Sequence, residues 1–504
     1  MAEHAPVLIV LSPLLGAILV MLTVRLGSVA AWVIALVATA TSASAAIATL
    51  GRVLQAPEGV IRYQLGGWAP PMGIEYRVDA INSLVTIAIA IVGFLSILYT
   101  RSCATIETPS KQPQFYALLL LLMAGLSGVT LTNDAFNLYV LIEICSLTSY
   151  GLIAMGTRRA VLASFNYVII GTIGASFYLL GVGYLYIKTG SLNMEDIRGM
   201  IAANETLAAS ATIEVAFVLM MLGVWMKMAL FPLHGWLPNA YAYSPTGTSA
   251  FMAPMVTKVM VYVMVRVMLG VFGVDYVFGS NWANVASVLA TIAIVAGSVF
   301  ALSRRDIRRM LGYLIVAEVG YMVGGAWTAT QAGMTGAIYH ILSDAAMTFC
   351  LFLAVGIIIH RTGRHRLDAF DGLFQKMPLT MTLFVIGGLS MIGLPPTCGF
   401  ISKWYLVQGG IEAGQWHFVV ALLISSLVNA ILFFRIFERA FFRDIEFESL
   451  ETHHDPEKAA TVLKKVPLSM FIAAAIAAAS LFVIGIFNHN LTTWIRAALV
   501  NLNL

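Results

Sequence analysis

Apolar runs of some twenty residues, divided by short polar connections, recur along the whole chain. They lie near 6–25, 29–50, 79–100, 113–132, 134–156, 161–187 and 213–242. Seven more follow near 247–270, 281–302, 309–327, 331–360, 378–411, 416–438 and 467–489. A helix needs roughly 20 mainly apolar residues to cross the hydrocarbon core of a bilayer, so the pattern predicts an all-α integral membrane protein of about fourteen transmembrane helices. The runs at 213–242 and 378–411 are too long for plain helices and contain prolines, which predicts that helices 7 and 12 are broken. The longest polar pieces, 51–78, 188–212 and 439–466, are too short to fold alone. The chain therefore reads as a single membrane domain, 1–504. Its first run, from Pro6 to Val24, is followed at once by another, which favours a retained helix over a cleaved signal peptide.

Composition agrees with this pattern. Hydrophobic residues make up 60% of the 504 and charged residues only 11%, where a soluble domain carries about 25% charged. Four widely spaced cysteines (Cys103, Cys145, Cys350 and Cys398) read as small buried hydrophobes rather than disulfides or a zinc site. His453 and His454, in the polar run Glu446 to Lys465, read as part of a solvated loop.

The distribution of basic residues carries more than the net charge of +4. One alternating set of connections holds Arg25, Arg101, Lys111, Arg158, Arg159, Arg304, Arg305, Arg308 and Arg309. It continues with Arg361, Arg364, Arg366, Lys376, Arg439, Arg443, Lys458, Lys464 and Lys465, making 18. The opposite set holds 7: Arg52, Arg62, Arg77, Lys188, Arg198, Arg266 and Arg496. By the positive-inside rule the first set is cytoplasmic and both termini face outward. A cell (inner) membrane location is expected.

The remaining charges fall inside apolar runs. They are Glu143, Lys227, Lys258, Glu318, His340 with Asp344, Lys403, and Arg435 with Glu438. A charge at the centre of a membrane helix costs about 2.5–3.5 kcal/mol on insertion scales, so such groups must pair, meet water or do work. Their spacing repeats. Glu143 to Lys227 is 84 residues and Glu318 to Lys403 is 85; Lys258 follows Lys227 by 31, and Arg435 follows Lys403 by 32. A slide of about 176 residues superposes acid on acid and base on base across five helices. An odd helix offset turns one copy upside down, the pattern of inverted repeats in secondary transporters. The repeats would span 113–270 (helices 4–8) and 281–438 (helices 9–13).

Both expected breaks sit beside a lysine, in Lys227-Met-Ala-Leu-Phe-Pro232-Leu-His234-Gly-Trp-Leu-Pro238 and in Gly393-Leu-Pro395-Pro396-Thr-Cys-Gly399-Phe-Ile-Ser-Lys403. Proline frees carbonyls that need protein or water partners at membrane depth. A lysine in low dielectric is poised to lose its proton, and a neighbouring carboxylate restores the charged form. Glu143 with Lys227 would form such a pair, with Lys258, His340 and Lys403 as further stations. His340 and Asp344, four apart, share a helix face and would share a proton or bind a cation. Arg435 and Glu438, three apart, would neutralise each other.

These residues carry a family resemblance over nearly the whole chain. It is similar to the antiporter-like subunits shared by Mrp-type cation/proton antiporters, membrane-bound hydrogenases and the membrane arm of complex I. The matching stretches are Gly66-Gly67-Trp68-Ala-Pro-Pro before Asp79, Asn137-Leu-Tyr-Val-Leu-Ile-Glu143, and Phe231-Pro232-Leu-His234-Gly-Trp236-Leu-Pro238. Thr257-Lys258 with Tyr262 and Arg266 also match, as do Gly393-Leu-Pro-Pro396 and Gly399-Phe-Ile-Ser-Lys403. The resemblance implies two inverted five-helix bundles, each with a half-channel. It also implies proton-path roles for Glu143, Lys227, Lys258 and Lys403, with His234, Glu318, His340 and Asp344 as further relay candidates. The likeness is greatest to the D-type member of the Mrp complexes and its hydrogenase relatives. Helix 11 departs from the family pattern: His340, Asp344 and Thr348 stand where many relatives have two histidines and a lysine. Glu318 replaces a common glutamine, and Asn239 a common aspartate. Either Glu318 and Asp344 carry the proton, which we favour, or this copy binds a cation such as Na⁺, or it couples poorly.

The expected function is proton translocation within a multi-subunit antiporter or redox complex. The expected partners are other membrane subunits, protons, Na⁺ or K⁺, and the bilayer. A stand-alone solute or cation carrier is the alternative, and an inert membrane anchor a third reading, which the repeated buried charges oppose. No nucleotide loop, flavin motif, iron–sulfur cysteine run or quinone site is visible, so no cofactor and no catalysis by this chain alone are expected.

Overall fold

A computed structural model describes residues 3–156, 158–443, 466–502 and 504; the polar run Glu446–Lys465 with His453 and His454 lies outside the described residues. Its helices are α1 (Ala5–Leu22), α2 (Ser28–Val53), α3 (Ala80–Glu107), α4 (Gln112–Leu131), α5 (Ala135–Ala154) and α6 (Arg158–Thr189). Next come α7 (Met194–Ala203), α8 (Ala211–Lys227), α9 (Leu237–Tyr243), α10 (Thr246–Arg266), α11 (Trp282–Leu302) and α12 (Ile307–Ala326). The last are α13 (Gln331–Thr362), α14 (Pro378–Ile392), α15 (Cys398–Glu412), α16 (Trp416–Phe442), α17 (Leu468–Ile486) and α18 (Asn488–Val500). Among the described residues, eleven helices are long and apolar enough to cross a membrane.

The helix starts follow from short polar side chains that satisfy orphan amides. Asp79 and Asn82 form a reciprocal capping box at α3, Asp134 caps α5 and Asp306 caps α12. Both expected breaks are present. The chain leaves helical geometry between Lys227 and Leu237 and again between Ile392 and Cys398, so α8/α9 and α14/α15 are paired half-helices.

Burial separates the centre from the periphery. The apolar window of α13 is wholly buried and that of α10 is 94% buried, while those of α1, α2, α6 and α17 are about half-exposed or more. Leu147, Leu162, Ile187 and Leu427 project outward, as a lipid-facing surface requires. Small residues bring helices together. A Cβ on Gly223 would lie 2.5 Å from the Gly174 carbonyl, so α6 and α8 touch backbone to backbone. All four cysteines are buried and free.

The connections 51–78 and 188–212 contain structure that the hydrophobic pattern does not reveal. β1 (Ile61–Gln64) pairs antiparallel with β2 (Glu75–Val78), with Tyr63 opposite Tyr76. This hairpin is tied to α7 and α10 by ion pairs among Arg62, Glu75, Arg77, Asp79, Glu195 and Arg266. Four-residue strands are too short for apolar alternation to register, and the ion pairs act together with the burial of Tyr76 and Val78 in β2.

Candidate functional site

The first break places Lys227 at the end of α8. Its Nζ donates to Glu143 Oε1 at 3.0 Å and to Ser146 Oγ at 2.6 Å, and the lysine is 3% exposed. Glu143 and Ser146 are three apart on α5 and so share a face. Gly171 on α6 leaves this corner open: a Cβ there would lie 2.1 Å from the Tyr150 hydroxyl and 3.6 Å from Lys227 Nζ. The pairing expected between Glu143 and Lys227 is thus present.

At the centre, Lys258 on α10 meets Asp344 on α13 at 3.0 Å, with neither side chain exposed. Thr348 Oγ1 donates to Asp344 Oδ1 at 2.8 Å, and Lys258 Nζ also donates to the Ala253 carbonyl at 3.1 Å. The ion pair is bent away from hydrogen-bond alignment, which leaves Asp344 Oδ2 without a well-directed donor. The acid that departs from the family pattern is therefore the counter-charge of a buried lysine.

His340, one turn from Asp344, turns to other partners. Its Nε2 lies 2.7 Å from Glu318 Oε2 on α12, and its Nδ1 lies 2.8 Å from Ser402 Oγ on α15. Ser402 also reaches the Gly399 carbonyl at 3.1 Å. With an ionised Glu318 accepting from Nε2–H, a neutral His340 needs the Ser402 hydroxyl to donate to Nδ1. A protonated His340 donates instead, and Ser402 then gives its hydrogen to Gly399. Either form of His340 therefore finds hydrogen-bond partners here, with the Ser402 hydroxyl turning to match. The shared proton or cation expected between His340 and Asp344 is not supported by this geometry, because each faces a different neighbour.

Lys403 follows Ser402 on the second half-helix of the other break. Its Nζ donates to the Met391 and Ile392 carbonyls at 2.8 and 3.2 Å and to Ser426 Oγ at 3.2 Å. It lies 5.2 Å from the centre of the Tyr321 ring. Those carbonyls are the last of α14, freed where Gly393 and the prolines end the helix, and they form the negative end of its dipole. Glu318 does not pair with Lys403 directly. Asn429 on α16 links them by donating to Glu318 Oε1 at 3.5 Å and to the Met391 carbonyl at 3.3 Å.

Two expected groups lie apart. His234 sits among the rings of Phe231, Phe300 and Tyr313, with its Nδ1 unpartnered among the described residues. Arg435 and Glu438 are exposed and form no ion pair with each other, contrary to both the buried and the mutually neutralised readings. Ser146, Ser402 and Asn429 are contact partners of these groups that the sequence pattern does not single out. Asn429, an amide inside an apolar run, is the most visible signal of the three.

The transmembrane model described as NADH:quinone oxidoreductase/Mrp antiporter matches residues 132–429. The N subunit of the NADH-quinone oxidoreductase of Desulforudis audaxviator is 42% identical over 97% of both chains. The D-type chain of the Na(+)/H(+) antiporter of Bacillus subtilis is 32% identical over 80% of both. A chain of the membrane-bound sulfane sulfur reductase, an archaeal respiratory membrane complex, superposes with a TM-score of 0.87 at 27% identity, covering 99% of this chain and 98% of that one. A chain of the Mrp complex from Dietzia sp. shares the fold at a TM-score of 0.87 and 23% identity, covering 99% and 97%. With more than half of its length matched by the family and a relative 42% identical over 97% of both chains, this multi-pass membrane chain belongs to the NADH:quinone oxidoreductase/Mrp antiporter transmembrane family.

Proposed function

We propose that this chain moves protons across the membrane as one subunit of a larger cation/proton antiporter or ion-pumping redox complex. The observation that carries the reading is the part-buried contact Glu143–Lys227 together with the buried contacts Lys258–Asp344 and Glu318–His340–Ser402, with Lys403 beside the last. Carbonyls, hydroxyls and carboxylates give each cation a partner, so the charges persist without lipid contact. The proton relay would run through Glu143, Lys227, Lys258, Asp344, Glu318, His340 and Lys403, with His234 as a side station. The relatives named above are subunits, which favours assembly over a stand-alone carrier.

Counting α12 and each pair of half-helices as one crossing brings the eleven long helices to fourteen. An even number would put both termini on one side, and the lysine and arginine distribution supports the outer side of the cell membrane. Matching breaks, each with a lysine, support inverted repeats over 113–270 and 281–438. The exposed Arg435 does not share the environment of its counterpart Lys258.

Reconstitution of the assembled complex with a pH-sensitive dye inside the vesicles tests the reading. Glu143→Ala or Lys227→Ala should abolish proton movement while assembly persists. Unchanged exchange in both would overturn it.

A further inference from the structure

The face that carries the β-hairpin holds a second polar cluster, separate from the buried contacts above. Arg77 Nη1 lies 2.6 Å from Asp79 Oδ2, which Arg266 Nη1 also reaches at 3.5 Å. Arg77 Nε donates to Glu195 Oε1 at 2.8 Å, and Arg62 grips the same carboxylate from the rim. Glu75, 3.7 Å from Arg62, is further engaged by the amides of Asn133 and Asn193. Arg266 Nη2 donates to Asn133 Oδ1 at 3.1 Å.

Within this network the carboxylates are oversubscribed. Four guanidinium groups (Arg62, Arg77, Arg198 and Arg266) face three carboxylates (Glu75, Asp79 and Glu195). Arg198 forms no hydrogen bond or ion pair with a described residue, and Arg266 Nε, in a side chain more than nine-tenths buried, has no acceptor among them. Burial holds the Arg198 guanidinium below its usual value, and the nearby Arg77, Arg266 and Arg62 add to this while Glu195 opposes it. A half-open cavity lies between these groups. Its polar wall is formed by Arg77, Asp79, Asn133, Glu195, Arg198 and Arg266, the rest being mainly apolar side chains such as Ile81, Val265 and Leu269, and about 20 Å³ of it is free. That is room for a single small guest. Its charged lining carries three cations against two anions.

We propose that this cavity binds one small monovalent anion of halide size, held between Arg198 and Arg266 Nε. A neutral guest would leave the surplus charge unbalanced in a partly dehydrated site, where unpaired charge is costly. Guanidinium forks supply short, charge-assisted donors to an anion. Gly270 completes the wall, where a Cβ would lie in van der Waals contact with Arg266 Cδ at 3.4 Å. The proposal stands apart from proton conduction and survives or fails without it.

The test uses purified full chain in detergent at fixed pH and ionic strength, with chloride replacing gluconate. Thermal unfolding should shift upward and saturably in the wild type. Arg198→Gln should raise the half-saturating chloride at least tenfold, whereas Arg496→Gln should leave it unchanged. Crystals soaked in bromide should show anomalous density within hydrogen-bond distance of Arg266 Nε. The same chloride response in wild type and Arg198→Gln, or a cavity without bromide at a saturating concentration, overturns the proposal. Should Arg198→Gln fail to fold, the bromide map of the wild type decides alone.

Discussion

Lys258 and Asp344 meet at 3.0 Å with no exposure of either side chain. Neither could remain charged there alone, because an uncompensated ion in a low-dielectric interior loses its solvation without repayment. Asp344→Ala should therefore lower stability by about 3–5 kcal/mol, and Lys258→Met combined with Asp344→Leu should recover most of that loss. Thermal unfolding in detergent measures both. A single variant as stable as the wild type would mean that the pair is neutral.

Lys→Arg substitutions separate a proton carrier from a structural cation. Arginine keeps the charge but does not give up its proton in a protein. Lys227→Arg should preserve assembly through the Glu143 contact yet reduce proton flux at least tenfold, the factor that one pKa unit of about 1.4 kcal/mol represents. Dye-monitored flux in vesicles, compared with the amount of assembled complex, reads the two effects apart.

Gly399 is the point where the two halves of the second break press together. A Cβ there would lie 1.9 Å from the Ser390 carbonyl and 2.9 Å from Met347 Sδ. Gly399→Ala must push α15 from α14, at a cost of about 1–3 kcal/mol as for other overpacked sites. Lys403 would lose its carbonyl partners, so flux should fall more steeply than stability. Equal losses would argue that the break is only a joint.

The hairpin should respond to acid. Burial pushes the Glu195 carboxyl up, but Arg62, Arg77 and Arg198 outweigh it and hold it below the usual range. A depressed carboxyl contributes stability that is present above its unfolded value near 4.5 and lost as pH falls through the lower folded value. Hydrogen exchange of the amides in Ile61–Val78 should stay slow down to pH 4.5 and rise below it. Glu195→Gln should give fast exchange at neutral pH.

Most of the membrane architecture was legible because a helix crossing lipid must advertise itself through twenty apolar residues. The breaks were equally legible from the clustering of Pro232 with Pro238 and of Pro395 with Pro396, whereas the lone Pro13 and Pro254 lie inside the continuous helices α1 and α10. The pairing of Glu143 with Lys227 could be read from matched spacing. Other contacts could not. Asp344 looked like a partner for His340 because helical periodicity relates residues on one helix, whereas the packing of α10 and α12 against α13 decides which neighbour each one meets. Arg435 resembled a buried cation by its offset from Lys403, but orientation around α16 turns it outward. The hairpin and α7 are held by ion pairs between segments far apart in sequence, and no local pattern encodes such a match.

The end of α14 has one more consequence. Lys258 is balanced by a carboxylate, so a departing proton would strand a net negative charge in the interior. Lys403 touches no carboxylate directly: the last carbonyls of α14 and the Ser426 hydroxyl hold it, and Glu318 is reached only through Asn429. Two lysines of one chain thus differ in what they leave behind when emptied. In the relay proposed above, emptying Lys258 uncovers a carboxylate in direct contact, whereas emptying Lys403 uncovers only main-chain oxygens and a hydroxyl.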